Sequence, residues 1–336
     1  MPRLHSIDFL KLIIAAGVVW AHATLLSYQG GVLAYVIGHG LVRTVVPTFA
    51  VLSGFFFHST LHHGRARIWL IRLGVFYLVW CVLYLPLWWP SVASPQDLVK
   101  ELVFGPLHLW YMAALMLALL LIHGIQALSG DEQTGRRRLL SLALVFLFCG
   151  TALQSVNFFS GLSLSIHVWR NGIFFEFPFA AIGFLVADRI RRKGRDWIPA
   201  TGVIWSVLIG LALLRLIEAA IGLNLYGLSV SAPPEFPLLA MAFSAALLLA
   251  ALRTPMRRVP GNIAFQSMMI YFLHFIVLVV ALHLGFRNMW VLMGLGVGLP
   301  MLAGWALLVI GAWARGHLPE PWYLRIYGSV GSGGRV

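Results

Sequence analysis

Residues 263–285 read IAFQSMMIYFLHFIVLVVALHLG, a run with no Lys, Arg, Asp or Glu. About 20 consecutive apolar residues cross a bilayer as a helix, so this stretch reads as a membrane span, with His274 and His283 inside it. Working outward, similar runs recur near residues 7–26, 41–57, 68–89, 107–125, 139–156, 173–187, 198–219, 236–252 and 289–312, separated by short polar breaks. The composition agrees: of 336 residues 60% are hydrophobic and only 10% charged, and the mean hydropathy is +0.88. Soluble domains carry roughly 25% charged residues. A soluble multidomain enzyme, a disordered chain and an outer-membrane barrel are excluded. The sequence therefore predicts an all-α fold, a polytopic membrane helical bundle of about ten transmembrane helices.

The formal net charge of +13 would suggest nucleic acid in a soluble protein, but here the position of each basic residue matters more than the total. Arg3, Arg65 and Arg67, Arg136 to Arg138, the run Arg189, Arg191, Arg192, Lys193 and Arg195, then Arg253, Arg257 and Arg258, and Arg315, Arg325 and Arg335 all fall on one side of the alternating spans. The intervening breaks supply Lys100, Arg170 and Arg287. The positive-inside rule then places both termini in the cytoplasm, and no nucleic-acid partner is expected. Arg3 and Lys11 followed by an apolar stretch and Ala21-His22-Ala23 imitate a cleavable secretory signal. Asp8 is unusual in a signal's charged region and cleavage would leave an odd number of spans, so the first span is expected to be permanent. The organisation expected is one membrane-embedded domain over 1–315 and a short cytoplasmic tail over 316–336, Gly-rich from Gly328. Cys81 and Cys149 lie inside apolar runs and offer neither a disulfide framework nor a metal site.

Ionisable side chains at membrane depth are costly unless they face a partner or a wet cavity, so each is a functional candidate. Lys11 and His22 are eleven residues apart, which is three helical turns plus roughly 20° and about 16 Å of rise. They share one face of the first helix, which Asp8 joins, and the bland reading of Asp8 and Lys11 is interfacial anchoring. With alternating spans, His22, Arg43, His108, Glu176, Arg215 and Glu218 sit at about one depth in the outer half, where they suggest a hydrated cavity opening outward. Arg215 and Glu218, three apart, also read as a simple pair on one helix.

These residues carry a resemblance. Ile7-Asp8-Phe9-Leu10-Lys11 through Val18-Val19-Trp20-Ala21-His22 resembles the first-helix signature of acyltransferase family 3, in which Arg or Lys is followed some ten residues later by His. Pro47-Thr48-Phe49-Ala50-Val51-Leu52-Ser53-Gly54-Phe55 resembles the family's second-helix Pro-x-Phe-x-x-x-Ser-Gly-Phe stretch. His108-Leu109-Trp110-Tyr111 is similar to its His-x-Trp-[Phe/Tyr] motif, and Tyr271-Phe272-Leu273-His274 to its Tyr-x-x-His. Where members often show Arg-x-x-Arg opening the third helix, this chain has Trp69-Leu70-Ile71-Arg72 and matches the second Arg alone. No counterpart of the soluble transferase domain fused to some members is found, so activity is expected within the bundle.

The resemblance implies transfer of an acyl group, commonly acetyl from acetyl-CoA or another acyl-CoA, onto a hydroxyl of a cell-surface or exported carbohydrate. The partners implied are a carbohydrate or lipid-linked glycan acceptor, membrane lipids and polysaccharide-assembly proteins, at the bacterial inner (cytoplasmic) membrane; no metal is expected. Such transfer needs a base for the hydroxyl proton and a donor for the developing oxyanion. His22, with an ordinary pKa near 6.5, is the choice for general base or transient acyl carrier. Arg43 is the candidate for the oxyanion or for orienting the acceptor, and Glu176 for holding the imidazole tautomer. Lys11, Arg65, Arg67 and Arg72 are candidates for the CoA phosphates and arm, although ordinary positive-inside charge explains Arg65 and Arg67 equally well. Trp110 and Tyr111, with His108 and His274, are candidates for the acceptor, against the plainer reading of an aromatic belt. The rivals are a transporter or flippase of a glycan or lipid-linked precursor, whose inverted repeats are not visible here, and a polytopic glycosyltransferase using Glu176 or Glu218 as base.

Overall fold

A computed structural model describes residues 4–27, 31–225, 235, 239–254, 256 and 262–317. All but two residues of the expected tail 316–336 lie outside them, as do Arg3, Arg257, Arg258, Arg325 and Arg335 of the charge argument. The helices are α1 (His5–Ser27), α2 (Gly31–Gly40), α3 (Val45–His62), α4 (Ala66–Leu83), α5 (Leu85–Trp88), α6 (Pro95–Phe104), α7 (Trp110–Ala127), α8 (Glu132–Ser160), α9 (Phe177–Lys193), α10 (Thr201–Leu225), α11 (Ala240–Arg253), α12 (Ile263–His283) and α13 (Met289–His317). There is no strand among the described residues.

Eight helical stretches are long and apolar enough to cross a membrane. The expected spans near 173–187 and 236–252 appear as the shorter α9, of 17 residues, and α11, of 14. Both are largely buried inside the bundle, so neighbouring helices, not lipid, cover much of their surface. A wide π-type turn over Gly172–Glu176 lengthens the approach to α9; Asn171 caps it, its Oδ1 accepting from the N–H groups of Ile173 at 2.9 Å and Phe174 at 3.0 Å. The expected second span, 41–57, begins earlier: α2, a 3₁₀ turn over Val42–Thr44 and α3 form one stretch from Gly31 to His62. The stretch before residue 41 fell between the first two expected spans, yet its helix α2 packs on α10, with Gly40 against Leu216 and the Arg215 carbonyl.

The pair α3 and α9 is the axis of the fold. Both main apolar clusters draw on it, one shared with α4, α7, α8 and α12, the other with α1, α10 and α11. At their crossing the backbones touch: a Cβ on Gly54 would stand 1.8 Å from the Ala180 carbonyl oxygen, and one on Gly183 1.8 Å from that of Val51. Without a hydrophobic drive between helices in lipid, such close backbone approach is a main source of association. The outward faces of α4, α8, α10 and α13 expose Ile68, Val75, Phe148, Leu213 and Trp305, an apolar surface suited to lipid and untenable in water.

Helix α5 falls at the end of the expected span 68–89, which the structure breaks at Tyr84, and α6 lies outside every expected span. Ser94 caps α6, accepting from the Asp97 N–H at 3.2 Å while its hydroxyl donates to Asp97 Oδ2 at 2.8 Å, and Pro95 opens the first turn. Tyr77 of α4 donates to the Leu102 carbonyl at 2.8 Å and ties α6 down. Hydrogen bonds from Ser94 also hold the exposed Asp97 carboxyl below its usual pKa.

Candidate functional site

The turn leading into α7 sets the first piece. Gly105 takes φ +85° where a Cβ would meet Trp110 Cα at 2.5 Å, and Leu107, a branched residue, is held at φ +53°. A left-handed non-glycine residue costs about 1–2 kcal/mol, and such strain persists only where surroundings impose it. Here it presents His108 inward. Tyr271 Oη donates to the His108 carbonyl at 3.0 Å, and Tyr84 packs edge-on against the His108 ring at 4.8 Å. Tyr84 in turn donates to the Phe272 carbonyl at 2.6 Å, so α4, α7 and α12 are locked around this ring.

His274, one turn beyond Tyr271 on α12, stands 5.0 Å from His108 between ring centroids, and His22 of α1 stands 5.1 Å from His274 on another side. Phe275 lies against both His22 and His108, at 5.5 and 5.3 Å. Three histidines from three separate motifs therefore meet. His274 Nδ1 lies 3.0 Å from the Ile270 carbonyl and 2.8 Å from that of Tyr271; carbonyls only accept, so Nδ1 carries the proton and Nε2 keeps its lone pair. That Nε2 and both ring nitrogens of His108 are buried without a hydrogen-bond partner among the described residues. His108 and His274 are buried, whereas His22 is partly accessible. No three described His, Cys, Asp or Glu residues are arranged to hold a metal ion.

The second-helix motif supports this centre. Ser53 Oγ and Tyr111 Oη share a hydrogen bond at 3.2 Å, and the Phe49 ring touches Tyr111 and Tyr271 at 6.1 and 6.2 Å. Glu176 is fully buried, in electrostatic reach of Tyr111 and Tyr271. Its two carboxyl oxygens have no hydrogen-bond partner, so it does not hold the His22 imidazole as expected. Equal depth in the membrane places two groups at one level and says nothing of the direction in which each faces.

Beyond the histidines, at the end of the bundle where α3 begins, lies a charged group. Arg43 Nη1 meets Glu235 Oε2 at 2.9 Å, Arg170 Nη1 approaches Glu235 Oε1 at 3.6 Å, and the Arg170 guanidinium lies over the Trp110 ring at 4.7 Å. The Arg43 and Arg170 charges both act on His22. Arg215 does pair with Glu218, at 2.8 Å, and also donates to the His39 carbonyl at 2.7 Å. Sequence reasoning missed Arg170, Glu235 and Tyr84: the first had been counted only as an outer charge, and a tyrosine at a helix end carries no signal.

The donor candidates are dispersed. Lys11 Nζ sits over the Phe56 ring at 4.4 Å. Arg65, Arg67 and Arg72 are exposed on α4 and its approach, Arg72 among the exposed Ile68, Ile71 and Val75. The same end holds a cluster that was not anticipated: buried Asp188 meets Arg192 at 2.8 Å, Arg191 at 3.2 Å, and Arg136 and His58 at 3.7 Å each.

No curated protein and no solved structure matches the chain. One family model, described as an acyltransferase domain, matches residues 4–311, and thus takes in every helix that contributes to the histidine centre. The chain is a multi-pass membrane protein and belongs to this acyltransferase family.

Proposed function

We propose that the protein moves an acyl group from cytosolic acyl-CoA, acetyl-CoA in the simplest case, to a hydroxyl of an exported or cell-surface carbohydrate, with the reaction at His22. The observation that carries this reading is the meeting of His22, His108 and His274 at ring separations of 5.0 and 5.1 Å, with buried nitrogens that no protein group satisfies. Such unsatisfied groups need an explanation, and a reacting hydroxyl, thioester and oxyanion supply donors and acceptors for them.

In the direct course, His22 takes the proton as the acceptor oxygen attacks the thioester carbonyl carbon; the C–S bond breaks and the CoA thiolate leaves with that proton. In the two-step course the imidazole nitrogen attacks the thioester carbon, the C–S bond breaks and CoA leaves as the thiol with the imidazole proton; the sugar oxygen then attacks the acyl carbon, the C–N bond breaks and the freed imidazole takes the hydroxyl proton. His274, fixed in one tautomer by the carbonyls of Ile270 and Tyr271, offers its Nε2 lone pair toward the same centre and positions His22. Arg43, whose charge acts on His22, stabilises the oxyanion or orients the acceptor. Arg65, Arg67 and Arg72 offer exposed charge for the CoA phosphates.

Purified protein incubated with labelled acetyl-CoA and surface glycan extracts should yield labelled glycan, and His22→Ala should yield none while inserting and purifying normally. Near-normal turnover in that variant removes His22 from the chemistry. A base-labile label on the wild-type protein in the absence of acceptor selects the two-step course. The reading also needs the Arg-rich end of the bundle in the cytosol: with Cys81 and Cys149 replaced, cysteines at Thr134 or Gly194 should react with an impermeant thiol reagent only after cell lysis. Labelling in sealed cells reverses the orientation.

A further inference from the structure

Three guanidinium groups and two carboxylates form ion pairs at the end of the bundle where α3 begins: Arg43 and Arg170 with Glu235, and Arg215 with Glu218. Arg215 is paired within its own helix and anchored on the His39 carbonyl. Arg43 and Arg170 are different. They come from separate elements and converge on the two oxygens of one carboxylate, at 2.9 and 3.6 Å. The Glu235 side chain is 7% exposed and the two arginines 30% and 22%, so the group is shielded enough for its charges to matter and open enough to be reached.

A guanidinium presents five donors in a planar fork. One shared carboxylate leaves most of them over, and Arg170 Nε is buried without a partner. The Arg170 fork is held in plane by stacking on Trp110 at 4.7 Å. Glu235 is fixed through its backbone, its N–H donating to Gln154 Oε1 at 2.5 Å, while its carboxylate contacts are with the two arginines. Two forks held around one acid make a receptor for a planar or tetrahedral oxyanion, with Glu235 standing where that oxyanion would lie.

We infer that this arginine pair selects an acceptor carrying an acidic group, a carboxylate on an acidic sugar or a phosphate, which replaces Glu235 between Arg43 and Arg170. The inference rests on the reading of the histidine centre as the place where an acceptor hydroxyl reacts, and it adds the acceptor's charge. Seating the anion between these two forks orients the acceptor at the end of the bundle where α3 begins, and a neighbouring hydroxyl is the one presented to His22. Glu235 keeps the pair compensated when no acceptor is bound.

Calorimetric titration of the purified full-length protein tests this with three probes: a glucuronate-containing disaccharide, the same disaccharide with its carboxyl reduced to an alcohol, and polyprenyl phosphate in matched detergent. Tighter binding of the glucuronate disaccharide assigns the oxyanion to the acceptor sugar, and of the polyprenyl phosphate to a lipid-linked carrier. The preferred anion should bind at least about tenfold more tightly than the neutral disaccharide, the scale of one charge-assisted hydrogen bond. Arg170→Lys, which keeps the charge and removes the fork, should lose about tenfold. Glu235→Gln, which removes the competing carboxylate, should bind the anion more tightly than wild type, and added salt should erode the preference. Equal affinity for all three probes, no binding of either anion, or an unchanged affinity in Glu235→Gln overturns the inference. The His22→Ala protein should keep the anion preference, so a preference that survives alongside wild-type transfer in that variant faults the assignment of His22 and leaves the anion site standing.

Discussion

Among the described residues imidazoles gather in two places, His58 with His62 and His22 with His108 and His274, and the two groups are wired in opposite ways. His58 and His62 lie face to face at 4.1 Å near the end of α3, each beside a carboxylate, Asp188 at 3.7 Å and Glu132 at 3.8 Å, and these acids are held in turn by Arg136, Arg191 and Arg192. His22, His108 and His274 lie among aromatic rings, with ring nitrogens of the last two facing no protein partner. A buried charge surrounded by compensating charges is a fastener, whereas a buried polar atom without a partner is a cost that persists where a substrate relieves it. The first group is built on α3 and α9, the second on α1, α12 and the turn into α7, so each is assembled by separate packed helices and the contrast lies in bonding.

The largest effect expected is at His22. Loss of a general base costs about 10²–10⁴-fold in rate, and His22→Ala should lie at the lower limit of detection with its melting temperature near that of wild type. His22→Gln sharpens the point, because it keeps hydrogen bonding and cannot take up a proton near neutral pH. Activity surviving in it makes the residue a positioning group.

Asp188 should show the reverse pattern. Removing one partner of a buried ion network leaves uncompensated charge and costs about 3–5 kcal/mol, so Asp188→Ala should melt well below wild type while transfer per folded molecule is retained at low temperature. Thermal unfolding in detergent and specific activity of the folded fraction measure the two separately. Lost activity at unchanged stability would move this cluster from fastening to chemistry and erase the contrast between the two groups.

Tyr271→Phe tests how firmly the open group is held. It removes the hydroxyl that donates to the His108 carbonyl at 3.0 Å, a bond worth about 0.5–1.5 kcal/mol. A fall in kcat of up to about tenfold with an unchanged acceptor KM is expected if His108 then shifts within the site. An effect on KM alone makes His108 a binding group.

What the sequence made legible follows from what each signal encodes. Hydropathy reads burial in lipid, so the long spans could be located from runs such as 263–285, while α9 and α11 came out with displaced ends because buried central helices need not match the bilayer. The ten-residue α2 is too short to cross a bilayer as a span of its own and was passed over, although its Gly40 serves a close approach to α10. His22, His108 and His274 could be marked because each lies in a short motif, and the structure supplies what spacing does not hold, their mutual contact. Glu176 shows the limit, since depth aligned it with His22 but its facing is set by the turn at Gly172–Glu176. Arg170 and Glu235 lie in loops, where no periodicity exists and partners far apart in sequence are chosen by the fold.

The smallest effect is expected at Arg72, where the comparison can be extended from histidines to arginines. At the Arg-rich end, Arg136, Arg191 and Arg192 are engaged by Asp188 and Glu132, and their loss should register as stability. Arg72 is exposed on α4 beside Ile68 and Ile71, with no ion pair among the described residues. An exposed charge of this kind contributes about 0–1 kcal/mol to folding, so the melting temperature of Arg72→Ala should be unchanged. If the CoA phosphates dock there, the contact is made equally in the ground and transition states, and its loss raises the KM for acyl-CoA by a few-fold with kcat intact. The rise should shrink with added salt, because exposed charges are screened beyond about 10 Å at 0.1 M. An unchanged KM at low salt assigns Arg72 to the lipid headgroups, as a positive-inside anchor, and directs the search for the donor's phosphates to Arg65 and Arg67 at the start of the same helix.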